Sequence, residues 1–243
     1  AAERHVLDLD LLRSLPPYAP APGILNMIAI ATVVRVVAII GTMQTVASVF
    51  AGSVLVGLAL DHVGAFGLPP LPATPDRLAG AAMLLAGVLL LTVAHRSQTT
   101  AARSISVPAA AAAFSIGAVD NVSIAINARL AAEAGPFATT VAFLLPGAIV
   151  LSLSRPWRGR RGGPLRAVDA WPGLYNVVAV AGSALLVPIV GMHLTNGTRF
   201  AAAVLAGSLL DHVGAFGARR LRLTPLRAVA GLLLVTGVLL SLR

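Results

Sequence analysis

Asp120 is the residue with the most chemistry to offer, because it is a carboxylate set in an apolar run, Val107–Ala131. At the centre of a membrane-spanning helix an ionised carboxylate costs roughly 2.5 to 3.5 kcal/mol even on the lenient insertion scale. Gly117, Asp120, Ser123 and Asn127 follow one another at spacings of three, three and four, which places them on one helical face. That pattern predicts a substrate or proton site, with Asp120 as the titrating group and Ser123 and Asn127 as its hydrogen-bond partners. The competing reading is a structural carboxylate, neutralised by protonation or by an arginine from another helix. Arg35 and Arg199 are the candidate arginines, and either could also attract an anionic solute. Each lies near the end of an apolar run, where a long side chain can snorkel to the headgroups. His193, Asn196 and Arg199 recur at a spacing of three and would line an outer vestibule or sit among headgroups at a helix start.

A second constellation is Asp61-His62-Val63-Gly64-Ala65-Phe66-Gly67, which recurs letter for letter as Asp211-His212-Val213-Gly214-Ala215-Phe216-Gly217. A metal needs three or four converging ligands, and adjacent residues at a helix end diverge. The expected role is therefore a helix-terminating turn. Gly64, Gly67, Gly214 and Gly217 permit the reversal, and Phe66 and Phe216 wedge into the interface. Asn121-Val122-Ser123 and Asn196-Gly197-Thr198 match the glycosylation pattern, but both fall within apolar runs. There is no phosphate-binding glycine loop, no Ser/His/Asp arrangement and no HExxH. Without cysteine, disulfides, thiolate metal sites and cysteine nucleophiles are excluded. Neither an enzyme, a metal nor a cofactor is expected.

The elements that position these residues follow from composition. Of the 243 residues, 57% are hydrophobic and only 11% charged, against about a quarter charged in a soluble domain. Apolar runs of about 18 to 22 residues, the length that spans a bilayer, recur throughout. The expected fold is an all-α integral membrane protein of eight helices. These are α1 Ala21–Ile40, α2 Thr45–Leu60, α3 Arg77–Ala94, α4 Val107–Ala131, α5 Pro136–Leu153, α6 Trp171–Val190, α7 Leu194–Leu210 and α8 Arg227–Leu242. Pro146 in α5 and Pro188 in α6 are expected kinks. All 18 basic residues are arginine. The net charge of +9 does not signal nucleic acid, because these arginines sit mostly in short loops and act as topology signals.

The repeat extends well beyond the heptapeptide. At the same offset Thr74-Pro75, Arg77 and Gly87-Val88-Leu89-Leu90 match Thr224-Pro225, Arg227 and Gly237-Val238-Leu239-Leu240. Upstream, Gly41 matches Gly191, and Pro22-Gly23 and Asn26 match Pro172-Gly173 and Asn176. Thus α1, α2 and α3 are the homologues of α6, α7 and α8. Residues 1–20 form a polar N-terminal segment, 21–94 an incomplete first repeat of three helices, and 107–242 a second repeat of five. An odd number of helices separates the two heptapeptides, so they face opposite sides of a membrane. The loop after the first carries no arginine through Thr74, whereas Arg219, Arg220 and Arg222 follow the second. By the positive-inside rule the second turn and the Arg155–Arg166 loop are cytoplasmic. Inverted repeats of this kind are the usual architecture of secondary transporters.

The two DHVGAFG turns, each followed by Thr-Pro and an arginine, and Ile126-Asn127-Ala128-Arg129-Leu130 resemble the YdcZ-type branch of the drug/metabolite transporter superfamily. The resemblance covers nearly everything after about residue 20. It departs from the family at Gly52-Ser53 and Ala202-Ala203, where a Gly-Gln pair is usual, and at Ser123, where a glutamine is usual. It implies five-helix units, of which the first two helices of the N-terminal repeat are not in this sequence. The expected function is a secondary transporter moving a small organic solute or metabolite across the bacterial inner membrane by alternating access. The rival is a non-transporting membrane scaffold or partner subunit completed by another chain. Expected partners are the lipid bilayer, a small-molecule substrate, and a second copy or partner chain; no nucleic acid is expected.

Overall fold

Apolar runs this long leave the backbone no partner in a bilayer but itself, so the chain must be helical. In the computed structural model, which describes residues 15–96, 106–153, 171–213 and 224–242, it is. Eight α-helices occupy the described residues: α1 Ala21–Ile40, α2 Thr42–Val63, α3 Pro75–Arg96, α4 Val107–Ala134, α5 Pro136–Leu153, α6 Trp171–Val190, α7 Met192–Val213 and α8 Pro225–Ser241. Five of them, α1, α2, α3, α4 and α6, are long and apolar enough to cross a membrane. α5 and α6 continue through Pro146 and Pro188. The segments around Arg155–Arg166 and Arg219–Arg222, Gly214, Gly217 and the side chain of Asp211 lie outside the description, as do residues 1–14.

Three pairs of helices are joined by a single glycine rather than a loop. Gly41, Gly135 and Gly191 have φ of +84°, +84° and +87°, a region that a side chain disfavours. Each glycine N–H donates to the carbonyl four residues back, at 2.9 Å. Each glycine carbonyl in turn accepts the hydroxyl of a threonine four residues on: Thr45 at 2.8 Å, Thr139 at 3.0 Å and Thr195 at 2.7 Å. The chain direction changes without exposing a run of unbonded backbone. This is why α2 and α7 begin at Thr42 and Met192, earlier than the sequence pattern suggests.

The core forms where α2, α3, α7 and α8 meet, around Phe50, Leu84, Ala201 and Leu234. Positions matched by the repeat meet there reciprocally. The Phe50 and Phe200 rings pack edge-to-face with centroids 4.9 Å apart. A Cβ on Gly87 would lie 3.0 Å from the Ala230 carbonyl and against Leu234, while one on Gly237 would lie 2.9 Å from the Gly80 carbonyl and against Leu84. Partners of α2 run backwards along α7, from Phe200 opposite Phe50 to His193 opposite Gly57. The two helices are antiparallel, and so by the same reasoning are α3 and α8.

The first DHVGAFG turn is more than a terminator. Gly64 (φ +62°) and Gly67 (φ +75°) do reverse the chain, with Phe66 also at positive φ. Phe66 does not wedge into an interface, however: its side chain is exposed. Asp61 is buried, and its carboxylate accepts the backbone N–H groups of Met192 (2.8 Å) and His193 (3.0 Å) at the start of α7. Anionic capping of this kind satisfies donors that a helix start leaves unpaired. Arg77, also buried, lies 3.8 Å from Asp61 and donates to the carbonyls of Val190 (3.1 Å) and Leu71 (3.2 Å). The glycine joint between α6 and α7 is therefore held from both sides by an ion pair on α2 and α3. His62 is exposed, and its Nδ1 accepts the Ala73 N–H at 3.2 Å.

Candidate functional site

Helical periodicity brings polar groups from four helices to one cavity of about 110 Å³. On α4, Asp120, Ile124 and Asn127 share a face at spacings of four and three. On α6, Asn176, Ala179, Val180 and Ser183 do the same, and α1 adds Asn26 and Ile30. Phe143 of α5, Arg199 of α7 and Tyr175 of α6 complete the lining. Asp120 Oδ2 lies 3.8 Å from Arg199 Nη2, and both side chains are part-exposed, at 21% and 35%. Arg199 Nη1 also donates to Ser183 Oγ at 3.5 Å. Each charge lowers the cost of keeping the other inside the bundle. The separation is that of a loose pair rather than a close two-pronged one.

The polar stripe predicted on α4 divides. Asn127 lines the cavity with Asp120. Ser123 does not serve Asp120: it is fully buried, and its hydroxyl donates at 2.7 Å to the Pro22 carbonyl at the start of α1. Gly117 faces α2, where an added Cβ would run into the Val49 carbonyl. Steps of three residues fall short of a full turn of about 3.6, so the stripe rotates from one neighbour to the next. Arg35 is exposed on α1 and takes no part in the cavity lining. Among the described residues no group of three or more metal-ligating side chains converges. His212 is exposed at the end of α7.

His193 and Asn196 face neither a vestibule nor headgroups; both are fully buried. Asn196 Nδ2 donates to Asn121 Oδ1 at 2.7 Å, and Asn121 Nδ2 donates to the carbonyls of Ser53 (2.8 Å) and Gly117 (3.0 Å). The Ser241 hydroxyl is within reach of the Gly237 carbonyl at 2.9 Å and shares a hydrogen bond with His193 Nε2 at 3.1 Å. This network ties α2, α4, α7 and α8 together, and it is a fastening rather than an open site. Sequence reasoning missed Asn26, Asn176 and Ser183 as lining residues. A signal did exist for two of them, since Asn26 and Asn176 occupy the same place in the repeat and are both polar in apolar helices.

Long apolar helices gathered around an ion pair and three amides define a multi-pass membrane protein with a polar cavity in its bundle. The chain belongs to the family whose model, described as "Putative inner membrane exporter, YdcZ", matches residues 1–90 and 108–240. No curated protein and no solved structure matches the chain.

Proposed function

We propose that the protein is a secondary transporter that moves a small organic solute across the bacterial inner membrane by alternating access around the Asp120–Arg199 cavity. The observation that carries this reading is the ion pair itself. Two charges are kept inside an apolar bundle, facing a space that Asn26, Asn127 and Asn176 also line. Intramembrane ionisable groups are costly and mark solute or proton pathways. The antiparallel, reciprocal packing of α2 on α7 and α3 on α8 supports two inverted units, one of three helices (21–94) and one of five (107–242), able to exchange shapes. Asp120 is the group that would carry a coupled proton. The Asp120→Asn variant should abolish pH-gradient-driven solute movement in proteoliposomes while the protein still purifies folded. Unchanged movement would remove Asp120 from the mechanism.

The inverted reading places the first DHVGAFG turn outside, and the second turn with the Arg155–Arg166 loop in the cytoplasm. Because the chain has no cysteine, single cysteines report cleanly. In intact cells an impermeant maleimide should label His62→Cys from outside and reach His212→Cys only after permeabilisation. Labelling of both from one side would sink the inverted arrangement.

One observation favours a second reading, in which another chain completes the bundle. Positions that the repeat makes equivalent differ in cover. Gly23 and Gly52 are buried at backbone contacts with α5 and α4, whereas Gly173 and Ala202 are exposed. Ser53 and Val36 are buried, while Ala203 and Leu186 are exposed. The outer face of α6 and α7 thus keeps the small residues of a helix-docking surface, with no helix among the described residues on it. In native membranes Ala202→Cys should be joined by a short bismaleimide to a second polypeptide, either another copy or a partner. A monomeric product under conditions that cross-link a known membrane dimer would refute this reading.

A further inference from the structure

Resting on the carrier reading of this cavity, we propose that its ligand is a small zwitterion carrying an ammonium and a carboxylate two or three bonds apart, as in an α-amino acid. Among the described residues, the charges that face the space are one Asp and one Arg, 3.8 Å apart. A ligand bearing only a cation would take Asp120 and leave Arg199 uncompensated in a medium of low dielectric. A ligand bearing only an anion would do the reverse. Stranding one member of a charge pair held within an apolar bundle costs more than the new contact returns. A zwitterion replaces both halves at once: its ammonium meets the Asp120 carboxylate and its carboxylate meets the Arg199 guanidinium.

The geometry of the pair suits such an exchange. The two side chains are part-exposed to the space and meet at the outer limit of an ion pair. Arg199 makes one other described hydrogen bond, at 3.5 Å to Ser183, which leaves most of its five N–H donors for a carboxylate. Charges two or three bonds apart on the ligand can reach both partners without driving α4 and α7 far apart. The amides of Asn26, Asn127 and Asn176 supply uncharged donors and acceptors, and Phe143 offers an apolar wall. At about 110 Å³ the space is well below the roughly 300–1,000 Å³ of pockets for drug-sized ligands, which again fits a metabolite of amino-acid size.

The test is competition in proteoliposomes that hold the purified full chain. Radiolabelled L-alanine and L-threonine serve as zwitterions, with alaninamide as the matched cation and N-acetylalanine as the matched anion. At neutral pH at least one zwitterion should exchange saturably, and both single-charge analogues should compete at least about tenfold more weakly. Arg199→Gln should shift preference toward the amide and Asp120→Asn toward the N-acetyl compound, an inversion that a purely structural pair would not produce. Exchange of the amide or the N-acetyl compound at equal or better affinity would overturn the zwitterion while leaving the carrier intact. No exchange of any of these, together with no exchange across a broader solute panel by folded protein, would overturn both.

Discussion

Replacing Asp61 with alanine is expected to lower the unfolding free energy by about 3–5 kcal/mol, the usual cost of removing one partner from a buried ion pair. Three losses combine. The Met192 and His193 N–H groups lose their acceptor at the start of α7. Arg77, 7% exposed, loses its counter-charge while still bound to the Val190 and Leu71 carbonyls. The space that the carboxylate fills against Gly191, where a Cβ would come within 2.5 Å of Oδ2, falls empty. Asp61→Asn retains one acceptor oxygen and should lose less. The double variant Asp61→Ala, Arg77→Met should be milder than the sum of its parts, because no lone charge is left behind. Asp76→Ala, at an exposed position one residue before Arg77, should stay within about 0.5 kcal/mol of the parent. Unfolding by SDS titration in mixed micelles measures all four. Equal stability of Asp61→Ala and Asp76→Ala would show that the turn does not fasten the α6–α7 joint.

The same ion pair shows where sequence reasoning stops. The class of protein, the helices and the repeat are all written in local pattern: runs of bilayer length, arginine between them, and one heptapeptide used twice. α1, α5 and α6 occupy the expected ranges for that reason. Asp61 also stood out, but the N–H groups that it accepts lie more than a hundred residues away, on backbone that every residue carries. No side-chain type at Met192 announces a capped helix start. Ser123 is a parallel case. Its position on a polar stripe was legible, but the carbonyl that it serves became available only through the approach of Pro22. The cavity was half legible. Asp120, Asn127 and Arg199 are conspicuous because they are polar where their surroundings are not. Ser183 is too small to stand out in an apolar helix. The glycine joints hid differently, since one residue with positive φ leaves no loop composition to read. Only the Gly-x-x-x-Thr spacing at residues 41, 135 and 191 marks them.

Enlarging the glycines where α2 meets α4 should be at least as damaging as most losses from the core. Built Cβ atoms show why. One on Gly52 would overlap the Phe114 carbonyl, and one on Gly117 the Val49 carbonyl. Backbone on both sides cannot turn aside as a side chain can, so the helices would have to separate. That would break the contact of Asn121 with the Ser53 carbonyl, and with it the link to Asn196. Overpacking of an adaptable core costs about 1–3 kcal/mol; here the expected loss exceeds about 3 kcal/mol, with little folded Gly52→Val or Gly117→Val protein recovered. Ala202→Val, at the repeat-equivalent of Gly52, supplies the comparison because that position is exposed. In the purified chain it should change stability by no more than about 0.5 kcal/mol. If a further helix packs on α6 and α7 in the native membrane, the same substitution should damage transport there as Gly52→Val damages folding. Valine tolerated at both positions would mean that α2 and α4 do not approach as closely as described. Valine tolerated at Ala202 in membranes as well as in micelles would leave the α6–α7 face to lipid alone.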